Sequence, residues 1–426
     1  MNDLAYKEIA SGVKMLCVQS GKFKTDCIRL DFYLPIGEKL AAQNVLCGFM
    51  GHTSKKYPTF KAFNAKTEEL YGADFYTDIA TVGEKVRIRF AIEAPSDRFA
   101  LHGESISADA LDFLLEIVKN PNCENGCFNG ELTEREVKFT LQALEAEKND
   151  KRSYAVSRLR FLMCENEPYG IDREKLEKEV SALDGRQLFE AYEDMLSTAT
   201  VVLTACGELN EKALEARLTA FAEGIKSRNT ATLSTVYIEK AEKIRYFKEK
   251  MEVGQAKLVI GLRSGMLNPD DDYFAFRIMT DVFGGGPYSR LFTNVREKMS
   301  LCYYCSARLY REKGIIFIQC GVEAENYEKA LEEILNQLEI MKKGEFTPEE
   351  LEFSKKALSD AFRGVEDSPN AVCTYYGSQV FDGELLGGEE YAQRLMGVTA
   401  EQVKKCAERV SVDSVYLLYG GEGENE

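Results

Sequence analysis

Histidine is almost missing from this chain of 426 residues, which contains only His52 and His102. A catalytic zinc site usually takes two or three imidazoles from closely spaced positions. These two lie too far apart in sequence to form a chelating motif, although folding could still bring them together. A Ser-His-Asp triad has no support either, because the sequence contains no GxSxG elbow.

Positive charge and long apolar runs are scarce as well. The chain has 54 Lys and Arg residues against 70 Asp and Glu residues, a net charge of −16. This surplus repels phosphates, which argues against nucleic acid and anionic membrane surfaces as partners. No apolar run approaches the ~18–20 residues of a membrane helix, and the first residues lack the pattern of a secretory signal. We therefore expect a cytoplasmic protein without membrane or nucleic-acid partners.

The twelve cysteines lack the spacing of a disulfide framework, so free thiols in a reducing compartment are expected. Cys302 and Cys305 have CxxC spacing. On a regular strand, side chains three positions apart point to opposite faces, so this pair is not expected to chelate one metal ion. Cys123 and Cys127 flank a loop-like ENG stretch, and a metal or redox role for either pair stays open.

Apolar periodicity predicts a mixture of strands and helices. GVKMLCVQS and CIRLDFYLPIGE alternate with a period near two, which predicts neighbouring strands. SADALDFLLEIVK has its leucines on one helical face, and a long charged helix is predicted over 131–152. In DYFAFRIMTDVFGG, the terminal glycines are expected to cap a helix in the left-handed conformation.

A pattern in the first half of the chain returns in the second half. Asp184 and Thr399 each precede a glutamine by three positions, which is the arrangement of a capping box. Each box opens an amphipathic helix that is followed by a turn, a short apolar strand and Gly-Glu, at Gly207 and Gly421. A repeat at about half the chain length indicates a duplicated domain.

This repeat and the order of elements predict an α+β fold. We expect two homologous domains, residues 1–222 and 241–426, joined by a linker at 223–240. Each domain is expected to be a mostly antiparallel sheet with helices packed on one face.

The string FGGGPYSRLFTNVREKMSLCYY, residues 283–304, combines a glycine run, Ser-Arg, Arg-Glu and a later tyrosine. It resembles the second domain of the inverted-motif zinc peptidases, the family of pitrilysin, insulin-degrading enzyme and mitochondrial processing peptidase. The resemblance runs almost end to end, and it implies that Arg296 and Tyr303 bind substrate backbone near the scissile bond. The alternative interpretation is a surface salt-bridging arginine and a core strand tyrosine.

The zinc motif of that family, His-x-x-Glu-His, is degenerate in this sequence. Alignment on the following KKYP segment places Asn44 and Gly48 at the two zinc histidines and Cys47 at the glutamate that activates water. Glycine has no ligand atom, asparagine is a poor zinc donor, and cysteine is a poor substitute for a carboxylate base. The third ligand position falls on Leu144, with Glu145 one residue away.

The resemblance therefore implies a peptidase homologue without catalytic residues, metal or cofactor. Without zinc, water keeps a pKa of ~15.7 rather than ~7, so hydroxide at the site essentially disappears. In this family, two such chains often pair, and sometimes only one carries zinc. We expect the non-catalytic subunit of a peptide-binding chamber, formed with an active paralogous zinc peptidase or with a second copy of this chain.

Two alternatives remain open. One is an active zinc peptidase with a displaced site built from His52, Glu145 or Glu147 and a cysteine, although His52 follows the helix in a segment typical of a solvated loop. The other is a protein that binds peptides or another enzyme without any hydrolysis.

Overall fold

The computed structural model describes residues 4–225, 227–267 and 272–420. The chain forms two compact units, each assembled from three segments. Unit 1 contains the described residues of Met1–Leu144, Arg173–Ser234 and Val365–Leu386. Unit 2 contains those of Glu145–Asp172, Thr235–Gly364 and Gly387–Glu426.

The strands in chain order are β1 (Lys7–Ala10), β2 (Val13–Gln19), β3 (Thr25–Pro35), β4 (Asp74–Val82), β5 (Lys85–Pro95), β6 (Cys123–Glu124), β7 (Cys127–Phe128), β8 (Thr200–Gly207), β9 (Arg245–Lys250), β10 (Ala256–Arg263), β11 (Cys302–Tyr310), β12 (Ile315–Val322) and β13 (Ser411–Tyr419). The α-helices are α1 (Leu40–Met50), α2 (Phe60–Glu69), α3 (Ile106–Lys119), α4 (Gly130–Asn149), α5 (Lys151–Met163), α6 (Arg173–Ser181), α7 (Gly185–Thr198), α8 (Glu211–Gly224), α9 (Tyr273–Gly284), α10 (Tyr327–Lys343), α11 (Pro348–Arg363), α12 (Pro369–Gly377), α13 (Gly388–Met396) and α14 (Ala400–Arg409). A π-helix spans Leu291–Lys298.

Each unit is built on one large, mostly antiparallel sheet, as the sequence predicted. The sheet of unit 1 has the order β1-β2-β8-β3-β5-β4, and only the β2–β8 pair is parallel. The sheet of unit 2 has the order β11-β12-β10-β13-β9, and only the β13–β9 pair is parallel. The expected α+β class is therefore confirmed. Among the residues described, no helix combines the length and apolar character needed to cross a bilayer.

Local capping chemistry sets several helix starts. Asp184 and Thr399 each form the capping box that the sequence predicts, with the glutamine side chain three residues on accepting from the cap backbone. Gly207 ends β8 with φ of +149°, and a Cβ there would lie 2.0 Å from a carboxylate oxygen of Asp26. Only glycine fits that position. The matching Gly421 lies outside the described residues.

The long charged helix predicted over 131–152 is divided in two. Helix α4 ends at Asn149 and α5 begins at Lys151, with Asp150 as the N-cap between them. The Asp150 carboxylate accepts hydrogen bonds from the backbone nitrogens of Arg152 and Ser153. An aspartate in this position favours the start of a new helix, which accounts for the break.

Each unit contains one segment from the half of the chain that otherwise forms the other unit. Helix α5 precedes the expected linker, yet Leu159 and Met163 pack in unit 2 against Val259 and Phe317 of its sheet. The units therefore differ from the contiguous ranges 1–222 and 241–426 expected from the sequence, both at this segment and at residues 365–386. The expected linker at 223–240 is divided between the units after Ser234.

Residues 365–386 contain α12 and belong to unit 1, where Val380 packs against Tyr33 of β3. Side chains alternate along a strand, so Tyr33 faces away from Phe32 and Leu34. Each sheet thus receives a helical segment from the other half of the chain on one face. The sequence predicted only the helices of the same half.

The glycine run after α9 does not form the left-handed cap that we expected. Gly285 closes the helix with φ of −81°. Instead, a Cβ on Gly284 would lie 2.6 Å from the backbone nitrogen of Ala307 on β11. The expectation was wrong because the glycines serve a close approach of helix to strand rather than a turn with positive φ.

Candidate functional site

Helix α1 carries the degenerate motif. It is rich in small and apolar residues, and most of its side chains are buried in unit 1. The Asn44 amide donates a 2.8 Å hydrogen bond to the carbonyl of Leu40, one turn earlier on the same helix. Cys47 is only 4% exposed, and burial raises the pKa of its thiol to about 12. Cys47 is therefore a neutral thiol near pH 7.

These side chains do not fit a catalytic zinc ion. Asn44 uses its amide nitrogen within the helix, Cys47 keeps its proton, and Gly48 offers no side chain at all. Zinc requires deprotonated thiolate, neutral imidazole or carboxylate ligands. We derive no hydrolytic step from this helix.

Glu136 is the site residue that the sequence analysis missed. It lies on α4, is 4% exposed, and a Cβ on Gly48 would sit 3.1 Å from its Oε2 atom. Its Oε1 atom accepts a 2.9 Å hydrogen bond from Arg135. A buried carboxylate thus faces the gap left by the glycine. One feature of the sequence could have identified Glu136. It lies in the charged helix, at a spacing that places its side chain on the same face as the apolar residues of that helix.

The third ligand position also lies on α4. Leu144 is half-buried and its carbonyl accepts a hydrogen bond from Arg173, whereas the Glu145 side chain is exposed. Seven residues make almost two turns of an α-helix. Two turns after Glu136, the residues nearest to the same helix face are therefore Ala143 and Leu144. Neither of these two residues has a ligand atom in its side chain.

A cleft of about 460 Å³ adjoins this centre in unit 1. Its walls come from the segment after α1 and from the first turns of α4: His52, Thr53, Pro58, Thr59, Phe60, Leu132, Arg135 and Phe139. Phe60 is 64% exposed and Phe139 is 52% exposed. Large apolar side chains that stay open to solvent in a cleft mark a binding surface.

Both histidines lie in exposed positions. His52 is exposed at the cleft, with the centre of its ring 6.3 Å from the centre of the Phe60 ring. His102 lies in an exposed loop before α3. The position of His52 matches the solvated loop predicted for it.

Strand β4 forms one edge of the sheet in unit 1, with β5 as its only strand partner in the described part of the chain. Its outer backbone groups can accept another extended segment by strand addition.

Arg296 and Tyr303 belong to unit 2. Arg296 lies on the π-helix, with its guanidinium 4.4 Å from the centre of the Phe292 ring and its Nε 3.6 Å from a carboxylate oxygen of Glu297. Tyr303 is 63% exposed on β11, and a hydrogen bond to Glu323 raises the pKa of its hydroxyl. Tyr303 is therefore a surface residue and does not fill the core, as the alternative interpretation required.

The two cysteine pairs differ in structure. Cys123 and Cys127 lie on the short strands β6 and β7, and both are free thiols. The expectation that Cys302 and Cys305 point to opposite faces was wrong. The pairing of β11 with β12 shifts register between Cys302 and Tyr304, so a bulge places both cysteines on the buried side.

In the described residues, the donor atoms of three potential metal ligands come within 4.8 Å of one another at Cys302, Cys305 and Cys320. This group includes neither His52 nor Glu145 nor Glu147. The displaced zinc site considered from the sequence therefore gains no structural observation in its favour.

Comparison with known proteins agrees with the fold. Residues 182–358 match the family described as Peptidase M16 inactive domain. The chain is similar to inactive homologues of the M16 peptidases, as the resemblance in its sequence predicted.

Several individual proteins are similar to this chain over almost its whole length. The "Probable inactive metalloprotease YmfF" of Bacillus subtilis (strain 168) is 25% identical over 424 residues, which is 99% of both chains. A crystal structure of a conserved protein from Enterococcus faecalis V583 superposes with a TM-score of 0.90 at 25% identity and covers 100% of both chains. The peptidase M16 inactive domain from Pseudomonas fluorescens shares the fold, with a TM-score of 0.78 at 20% identity over 100% of this chain and 99% of that one.

Proposed function

We propose that this chain is the non-catalytic subunit of a cytoplasmic peptide-binding assembly, completed by an active zinc-bearing paralogue. The observation that carries the proposal is the frame around Gly48, where α1 and α4 stay adjacent. The three ligand positions hold an amide, no side chain and a leucine, and the position of the catalytic glutamate holds a buried thiol. A chain that keeps this frame without its chemistry contributes binding surface rather than hydrolysis.

The surfaces available for a peptide support the same role. The cleft offers Phe60 and Phe139 to an apolar side chain, and the β4 edge offers backbone groups to an extended strand. Tyr303 offers an exposed hydroxyl and ring on unit 2. No two cysteines are paired in a disulfide in the part of the chain that the structure describes, which suits a reducing cytoplasm.

The test is reconstitution with the zinc-bearing homologue from the same organism. The chain alone is expected to cleave no peptide, and the mixture is expected to cleave faster than the homologue alone. If the mixture matches the homologue alone while the two proteins bind each other, the chain is a scaffold. If the isolated chain cleaves peptides and chelators stop it, the inactive assignment is wrong.

Arg296→Ala should reduce the turnover of the mixture by about tenfold or more, since removal of a group that positions substrate typically costs that much or more. Arg308, an exposed arginine on β11, provides the matched control. Peptide cleavage at equal complex concentration measures the effect. Equal losses in Arg296→Ala and Arg308→Ala would show that Arg296 has no specific role.

Phe139→Ser should weaken peptide binding to the isolated chain by about tenfold, because burial of an aromatic ring in a binding cleft contributes about 1.5–3 kcal/mol. The control is Phe353→Ser, which removes a ring of similar exposure, 59%, from helix α11 of unit 2. Fluorescence anisotropy with labelled apolar peptides gives both dissociation constants. Unchanged affinity in Phe139→Ser would exclude the cleft as the peptide site.

A further inference from the structure

The thiols of Cys302, Cys305 and Cys320 form a compact group in unit 2. Cys305 lies directly opposite Cys320 in the register of β11 and β12. Tyr303 is the extra residue of the bulge, so Cys302 turns to the same face as Cys305. The three sulfur atoms lie within 4.8 Å of one another, and the residues are 9%, 4% and 1% exposed.

The spacing of the sulfurs suits a metal ion better than a disulfide. Bonds of ~2.3 Å from a central ion to three sulfurs place those sulfurs about 4 Å apart. Small rotations of the side chains reach that distance from the present one. A disulfide requires about 2.05 Å between two sulfurs and leaves the third thiol without a role.

The chemistry of the three thiols favours a soft cation. The positive charge of Arg296 acts on the Cys302 thiol. Thiolate ligands select soft ions such as Cu⁺ and Zn²⁺ over Mg²⁺ or Ca²⁺. Three thiolates around a divalent ion leave one net negative charge, which Arg296 can balance.

We propose that Cys302, Cys305 and Cys320 bind one thiophilic metal ion, Zn²⁺ or Cu⁺, as a three-thiolate site on the buried face of β11. The ion stabilises the bulge from which Tyr303 projects to the surface. This site is separate from α1 and α4 of unit 1, and it serves structure rather than hydrolysis, because all three ligands come from two adjacent strands of the sheet.

Titration of the reduced, full-length chain with Cd²⁺ tests the site, because a cadmium–thiolate bond gives a charge-transfer absorption band. One equivalent is expected to bind. Competition with Zn²⁺ and with Cu⁺ under a chelating buffer then shows which of the two ions displaces Cd²⁺ more effectively.

Cys302→Ala and Cys320→Ala should each weaken Cd²⁺ binding by more than the ~10–100-fold typical of an outer-shell change at a metal site. Cys164→Ala is the matched control, since Cys164 is a fully buried thiol of unit 2 outside the group. Circular dichroism confirms that each variant is folded, and Cys302, the most exposed of the three, is the substitution least able to unfold the chain.

Two results would overturn the proposal. One is a folded wild-type chain that shows no charge-transfer band with Cd²⁺, including a chain in which two of the three thiols oxidise to a disulfide instead of binding metal. The other is a band of equal size and affinity in the wild type, Cys302→Ala and Cys320→Ala.

Discussion

Glu167→Ala is expected to destabilise unit 2 by about 3–5 kcal/mol, the range for removing one partner of a buried ion pair. Glu167 lies on the exchanged segment after α5 and accepts hydrogen bonds from Arg263 at 2.7 Å and from Lys313 at 2.5 Å. Arg263 also binds Asp413 at 2.8 Å, and all four side chains are at most 5% exposed. Loss of Glu167 removes the carboxylate that neutralises the buried Lys313 ammonium.

The control is Glu165→Ala, two residues earlier. Glu165 forms an ion pair of 3.2 Å with Arg245, but its side chain is 53% exposed. Exposed pairs contribute about 0–1 kcal/mol, so this variant should unfold at nearly the wild-type denaturant concentration. Urea denaturation followed by circular dichroism compares the two. Similar midpoints for both variants would show that the buried network does not hold the exchanged segment in unit 2.

The same network predicts acid sensitivity. Burial raises the pKa of Glu167, but hydrogen bonds from Arg263 and Lys313 outweigh burial, and the pKa falls below its ordinary value of 4.5. A carboxylate with a lowered pKa stabilises the fold fully above its unfolded pKa and loses that contribution as pH falls through the folded value. Wild type should therefore lose stability below about pH 4.5, and Glu167→Gln should lose less over the same interval. Urea denaturation repeated across this pH range measures both, and equal losses would contradict the role of Glu167.

Rebuilding the zinc ligands is expected to change metal uptake at unit 1 from none to one ion per chain. The variant combines Asn44→His, Cys47→Glu, Gly48→His and Leu144→Glu, and it restores the ligand set of the family. A Cys302→Ala background removes the thiol group of unit 2 from the measurement. Three protein ligands are the minimum of a catalytic zinc site, so the variant without Leu144→Glu should bind more weakly.

The position of the Glu136 carboxylate affects the design of this experiment. In the Gly48→His variant, the added Cβ would lie 3.1 Å from the Glu136 carboxylate in its present position, so that carboxylate must move by a few tenths of an ångström. A parallel variant with Ala143→Glu in place of Leu144→Glu tests the neighbouring position on α4. Elemental analysis after dialysis gives the zinc content. A folded set of variants that takes up no zinc would contradict the alignment of α1 with the zinc motif.

Local features of the fold could be predicted from the sequence because they depend on nearby residues. The boxes at Asp184 and Thr399 involve side chains and backbone three positions apart. Apolar alternation predicted the strands β2 and β3, although β3 is buried along almost its whole length rather than on one face. The degenerate motif could be recognised because its replacements lie on one helix beside a familiar segment.

Features that depend on distant contacts could not be predicted in this way. The exchange of α5 and residues 365–386 depends on packing against sheets far away in sequence. The bulge at Tyr303 adds one residue to β11, and this single insertion reverses the expected direction of Cys302. Glu136 faces Gly48 only because two helices pack together, which no spacing within either helix specifies.

Anomalous X-ray diffraction at the zinc edge, from crystals of this chain grown with excess Zn²⁺, tests the central claim most directly. That claim is that α1 and α4 preserve the frame of a zinc peptidase but lack the set of three ligands that holds zinc, since the carboxylate of Glu136 has no partner ligand on α1. No anomalous peak is expected between these helices, whether or not the thiols of Cys302, Cys305 and Cys320 bind metal. An ordered zinc ion between α1 and α4, coordinated by this chain alone, would contradict it.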